Sequence, residues 1–326
     1  MRRVVVASAG LIPLACAATA EAADVHVDGR NGGATDGSAA RPHRSIQAAV
    51  NAAAPGDVIK IARGTYPEAV DVDVPNLAFE GGYAGATGDV YASGGAGDFV
   101  TRDTMNPETI VASGSGIAVF SFVDAGASSL SGLVIRDGSL HGVYADGDPP
   151  SAHSLTVTRC TIEDSGSPSE NGGGIYADVP LTVRESVIRN NVGERGAGIA
   201  AEGEALTLEV SLVEGNVGWG DHGGGVYAYG DVSIVGNVIR GNRTGEGLSF
   251  GWGGGIIVFG ASSVAELRGN LVTGNRAPTE GSGTSSTTAR SPPSSTSSSS
   301  PTSARARRAP ASTSTATTTA DRRCRC

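Results

Sequence analysis

Eight side chains able to do chemistry crowd into a few short stretches of this chain: Glu170, Glu194, Trp219, Asp221, His222, Glu246, Phe250 and Trp252. Both tryptophans of the protein are among them. An aromatic face beside carboxylates suits a sugar, because the ring stacks on the pyranose and the carboxylate accepts from its hydroxyls. A carboxylate pair at the right separation could also hydrolyse a glycoside. Asp221-His222 offers a general acid or base, as does His141. Ordinary loop polarity, with aromatics covering an edge, explains the same residues without any function. Trp219, Trp252, Glu194, Glu246 and Phe250 are the binding candidates, and Asp221 and His222 the weaker catalytic ones.

What positions these residues is a repeat. The phrase Val134-Ile135-Arg136 returns as Thr161-Ile162-Glu163, Val187-Ile188-Arg189, Leu212-Val213-Glu214, Val238-Ile239-Arg240 and Leu271-Val272-Thr273, with middle residues 27, 26, 25, 26 and 33 apart. A period of that size marks a solenoid. A period-two strand precedes most copies, as in Leu155-Thr156-Val157, Leu181-Thr182-Val183 and Leu206-Thr207-Leu208. Asn191, Asn216, Asn242 and Asn275 follow the phrase. Stacked coils put them in one row, where each accepts from one neighbour and donates to the other. Glycine-rich turns such as Gly172-Gly173-Gly174 and Gly223-Gly224-Gly225 lead into a further strand. The candidate residues occupy the variable loops before these turns, so in-register stacking lines them along one flank. The aliphatic pair of the phrase is read as core. The charge after it alternates in sign through Arg136, Glu163, Arg189, Glu214 and Arg240. Alternation favours a salt-bridge ladder over an anion-binding arginine row.

The bulk numbers narrow the function. A net charge of −9 argues against a nucleic-acid partner. Residues 1–22 read as a secretory leader, with Arg2 and Arg3 before an apolar run and small-residue cleavage sites. Lipidation at Cys16 is the less favoured alternative, because Pro13 stands where such leaders usually carry Leu. No later segment reads as a transmembrane helix. Cys160 is alone in the repeats, so no disulfide is expected there. Residues 23–73 read as a cap and first coil. Ser45 caps a short helix, and Gly64-Thr65-Tyr66 reads as a turn. Asp28, Asn31 and Asp36 lie in a glycine-rich turn and are weak calcium candidates; a turn held by Asx side chains is the competing reading.

The opening Val27-Asp28-Gly29, Ser45-Ile46-Gln47-Ala48-Ala49-Val50, Pro55-Gly56-Asp57-Val58-Ile59 and Gly64-Thr65-Tyr66, together with the repeats, resembles secreted bacterial right-handed parallel β-helix proteins of the pectin-lyase-like type. The resemblance implies an all-β, right-handed, single-stranded parallel β-helix with repeats over residues 74–277 behind an N-terminal capping helix in residues 23–73, in about ten coils each adding about 4.8 Å. It permits a polysaccharide lyase or glycoside hydrolase acting on an acidic polysaccharide. The paired-Asp and Arg-x-Lys pattern of polygalacturonases and the calcium site of pectate lyases are not recognisable here. Residues 278–326 are rich in Ser, Thr, Ala, Pro and Arg and are expected to be disordered. They read either as a linker or as the product of a frameshift in GC-rich DNA. The functional expectation is a secreted, periplasmic or cell-surface protein, non-catalytic, binding polysaccharide or another surface partner along one flank, with no cofactor unless calcium. The alternatives are the enzyme above and a passive extracellular scaffold.

Overall fold

The computed structural model describes residues 22–278 apart from 106, 107, 204, 249 and 260–264, together with the backbone of Thr284–Arg290. The leader, Cys16 and most of the tail lie outside the described residues. The chain winds as a right-handed parallel β-helix with three long sheets. Sheet 1 begins with Asp24–Val27 and Val58–Ala62, sheet 2 with Gly64–Tyr66, and sheet 3 with Val70–Val72. Each coil adds one strand to each sheet in turn, and pairing from coil to coil is parallel. Nine strands lie along the path of sheet 1, one fewer than the expected ten or so coils. The difference is an excursion between Gly85 and Thr109, whose strand Asp98–Arg102 pairs antiparallel on Ala78–Gly85.

The core fills the tube with one residue from each outward–inward alternation. Val111, Ile135, Ile162, Ile188, Val213 and Ile239 are fully buried along sheet 2. This corrects the reading of the aliphatic pair. Only its second member points inward, because side chains alternate faces along a strand; Val134, Val187, Leu212 and Val238 are partly exposed on the outer face. Gly64-Thr65-Tyr66, read as a turn, is instead the first strand of sheet 2. Its Tyr66 ring is buried and its hydroxyl donates to the Ala62 carbonyl at 2.9 Å.

The helix Ile46–Val50 covers the first coil with Ile46, Ala49 and Val50. Its orphan N-terminal amides are taken by Ser45 Oγ and by the Glu68 carboxylate, which accepts from Ile46 and Gln47 at 2.8 and 3.0 Å. At the other end, Thr284–Arg290 pairs antiparallel with Leu271–Pro278. This stretch was expected to lack structure; Thr suits a strand, and the last coil offers unpaired edge groups to it.

Two polar ladders run inside the turns. Asn191, Asn216, Asn242 and Asn275 are buried in one row. Asn191 Oδ1 accepts the Ser165 backbone amide, and the Oδ1 of each of the other three accepts both the backbone amide and the Nδ2 of the Asn in the preceding coil, as Asn216 does from Asn191 at 3.0 and 3.1 Å. The other bend carries a second ladder, in which Cys160, Ser186 and Ser211 each donate their backbone amide to the next side chain and Asn237 to Asn270.

Candidate functional site

The outer face of sheet 3 is built from two side-chain columns. Register pairs Tyr144 with Tyr176, Tyr176 with Ala200, Ala200 with Tyr227, and Tyr227 with Ile257. Two residues further along stand Asp146, Tyr229 and Phe259 at the ends of their strands, and Asp178 and Glu202 just past the ends of theirs. Tyr144 and Tyr176 stack with ring centroids 5.2 Å apart and planes 10° from parallel. His141 is buried beside both rings and bonds to the Gly172 carbonyl at 3.0 Å through Nδ1. Burial holds its pKa below the ordinary value, so the ring brings no charge at neutral pH.

Three carboxylates on successive coils are the unusual feature of this face. Strands in a sheet lie about 4.8 Å apart, and like charges opposite one another are unfavourable. No Arg or Lys lies in the strands His141–Asp146, Ile175–Ala177 and Ile199–Ala201 to separate them. Burial, and then the Asp146 charge, push the Asp178 pKa up. The phenols answer the carboxylates. Tyr144 donates to Asp146 Oδ2 at 3.0 Å and Tyr176 to Glu202 Oε2 at 3.4 Å. Burial and the Asp146 bond push Tyr144 up to about 12, and burial with the nearby acids raises Tyr176 as well. The phenols therefore remain protonated donors.

The loop flank joins this face at one side. His222 packs its ring 5.1 Å from Trp252 and 4.8 Å from Phe259, and Phe250 lies 5.7 Å from Trp252. Asp221 Oδ1 accepts from His222 Nδ1 and meets Arg195 Nε at 3.4 Å. The Arg195 backbone amide donates to Asn171 Oδ1, and Asn171 Nδ2 donates to Glu202 at 2.8 Å. That chain of contacts ties the flank to the carboxylate column. Trp219, Trp252 and Tyr229 are 45%, 48% and 50% exposed. The structure thus brings Asp221, His222, Phe250 and Trp252 together. Trp219, in the same loop as Asp221 and His222, turns its ring toward Gly247 of the following loop. Glu246 is paired with Arg243 at 2.9 Å. Glu194 enters its surroundings through its backbone, taking a bond from Gly220 and giving one to Glu170.

The remaining candidates have structural partners. Glu163 pairs with Arg189 at 2.6 Å and Glu214 with Arg240 at 2.7 Å, while Arg136 meets Asp137 at 3.4 Å. Asp28 is fully buried, gripped by Arg30 through Nε and Nη2, by the Ala86 amide and by the Tyr91 hydroxyl. Asn31 bonds to Ala34, Pro42 and Gly33, and Asp36 pairs with Arg41. Protein donors take these oxygens. Among the described residues no group of three or more His, Cys, Asp or Glu is arranged to hold a metal ion.

Sequence reasoning missed Asp146, Asp178, Glu202 and the tyrosines. The signal was present as Gly-Val-Tyr-Ala-Asp at 142–146 and Gly-Ile-Tyr-Ala-Asp at 174–178. An insertion before Gly172 puts the two copies out of step with the main period.

The family model for the right-handed β-helix region matches residues 115–292. No curated protein sequence matches the chain. Two crystal structures of the pectin methylesterase from Aspergillus niger, one deglycosylated and one penultimately deglycosylated, are similar at 12% and 13% identity. Each match covers 77% of this chain and 86% of that one, with TM-scores of 0.34 and 0.37.

Proposed function

The chain belongs to the right-handed β-helix family, and from that premise we propose that it binds carbohydrate without cleaving it, on the sheet 3 face and its aromatic flank. The observation that carries this reading is the column Asp146, Asp178, Glu202, Tyr229 and Phe259, in which three carboxylates lead into two aromatics. Over four coil steps it is about 19 Å long, the scale of a short oligosaccharide lying across the coils. Carboxylates and phenols bond hydroxyls, and exposed rings stack on pyranose faces. The row of negative charge disfavours a uronate polymer and favours a neutral or amino-substituted glycan, since like charges across an interface repel. The leader-like residues 1–22 support action outside the cytoplasm. Among the described residues no helix is long and apolar enough to cross a membrane.

Cleavage is the second reading, favoured by the raised pKa of Asp178 beside Asp146. Glycoside hydrolysis takes two carboxyls in distinct roles. Asp146 and Glu202 each accept two hydrogen bonds from protein donors, which leaves Asp178 as the poised group. Depletion onto insoluble chitin, chitosan, cellulose and calcium pectate, with reducing ends measured in the supernatant, separates the readings. Retention on the first three above pectate, with no reducing ends released, is expected. Tyr229→Ala with Trp252→Ala should abolish retention and leave the melting temperature in place. Preferential retention on pectate would overturn the assignment, and release of reducing ends from chitin, chitosan or cellulose, which carry no uronate to eliminate, would establish the hydrolase.

A further inference from the structure

The outer face of sheet 2 differs from the other two in chemistry. Its outward column runs Ile110, Val134, Thr161, Val187, Leu212, Val238 and Leu271, one residue per coil in unbroken register. Six of the seven are aliphatic. None is fully buried, and Leu271 is 41% exposed. Strand propensity does not explain them. The equivalent column of sheet 1 meets the same backbone demand with Ser129, Thr156, Thr182, Thr207 and Ser233. An aliphatic stripe about 29 Å long over six coil steps is therefore left on a flat parallel sheet. Val210, 66% exposed, sits at its margin in the coil of Leu212. Contiguous exposed apolar surface of this kind marks an interface.

Beside the stripe runs the charged column Arg136, Glu163, Arg189, Glu214 and Arg240, alternating in sign. We propose that the occupant of this face is a second copy of the chain, packed with its solenoid axis antiparallel about a two-fold axis that lies along the strands. Such an axis reverses the order of the coils and preserves position along each strand. Aliphatic column then meets aliphatic column, and charged column meets charged column. Centred between Val187 and Leu212, it sets Arg189 against Glu214 and Glu163 against Arg240, each twice by symmetry. Val187 meets Leu212 at the centre, and Val134 meets Leu271 at the ends. Centred on any one coil, it would set Arg on Arg and Glu on Glu. The alternating ladder therefore confines the axis to positions between coils, by repulsion in the alignments centred on a coil, and the axis between Val187 and Leu212 is the one that overlaps the whole stripe from Val134 to Leu271. The three-residue strands make this face about 10 Å wide, and the five overlapping coil steps make it about 24 Å long, so it covers about 240 Å² per copy and about 500 Å² for the pair, the size of a weak, transient contact. The dimer is accordingly expected to be reversible, and it leaves the sheet 3 faces free.

Sedimentation velocity across a wide range of loading concentrations tests this, with the full chain and two kinds of variant. The wild type is expected to pass from monomer to dimer. Val187→Lys with Leu212→Lys should remain monomeric, since both side chains face outward and Ile188 and Val213 still fill the core. Glu214→Arg, a change at a half-buried position of the outer face that does not reach the core, should also lose the dimer by setting Arg against Arg189 of the second copy. Combining it with Arg189→Glu restores that pairing across the axis while breaking the ladder inside each copy. The double swap should therefore regain the dimer at a lowered melting temperature. A wild type that stays monomeric at every concentration overturns the proposal. So does a dimer that survives both the Lys pair and Glu214→Arg.

Discussion

Replacing Asn216 by Ala removes one rung of the buried ladder, and the structure fixes what is lost. Its Oδ1 accepts from the Asn191 backbone amide at 3.0 Å and from Asn191 Nδ2 at 3.1 Å. Its Nδ2 donates to the Ile188 carbonyl at 3.1 Å and to Asn242 Oδ1 at 2.9 Å. After truncation, Asn242 Oδ1 still accepts the backbone amide of residue 216. The Asn191 amide loses its partner and the Ile188 carbonyl loses a donor, both away from water. An orphaned buried group costs about 1–3 kcal/mol; the Asn191 amide is one, while the Ile188 carbonyl keeps its place in the sheet ladder, so with a small term for the void the loss is about 2 kcal/mol. That is a large share of a typical domain stability of about 5–15 kcal/mol. Urea unfolding followed by circular dichroism and by tryptophan fluorescence measures it. Trp219 and Trp252 report the C-terminal coils, so the two probes reveal whether the solenoid separates at the damaged rung. A loss below about 1 kcal/mol, the level of an exposed ion pair, would refute the view that the ladder holds the coils together.

Three further outcomes follow from the same geometry. Asp178 has a folded pKa raised above its usual 3.8 by burial and by Asp146, so its ionisation costs stability as pH rises through that window. Asp178→Asn should raise the melting temperature at neutral pH, with the gain fading as pH falls toward 3.8; a gain that persists there would contradict the cause assigned. Val210 holds a φ of +49° at an exposed bend where the next two coils use Gly236 and Gly269. Val210→Gly should stabilise by roughly 0.5–1 kcal/mol after the entropy glycine costs, by denaturant titration. Glu163→Arg with Glu214→Arg sets like charges on successive coils and should lower the melting temperature more than Arg189→Gln with Arg240→Gln does. Equal losses would count against charge alternation as a stabilising device.

The architecture was readable because coil-to-coil contact forces equivalent residues to recur. Asn191, Asn216, Asn242 and Asn275 announce themselves as a row, and so does the alternation from Arg136 to Arg240. Direction was harder. Val187 and Ile188 look alike in a sequence, yet one faces solvent and the other the core, and only the strand's start settles which. The flank was legible through its aromatics, whereas the sheet 3 face was not, because the spacing between Asp146, Asp178 and Glu202 is stretched by an insertion in one loop. Asp28 shows a different limit. Ala86 and Tyr91, which share its oxygens with Arg30, lie 58 and 63 residues away. Nothing local distinguishes this structural carboxylate from a cation ligand.

The sheet 3 face as a binding surface selective against acidic polymers is tested most directly on a glycan array sorted by charge, comparing wild type with Asp146→Asn/Asp178→Asn/Glu202→Gln. Wild type should bind neutral or amino-substituted oligosaccharides and pass over uronates, and the triple substitution should weaken the amino-sugar signal while easing the exclusion of uronates. Equal binding by the two proteins across every charge class, or wild-type preference for uronates, would contradict the account.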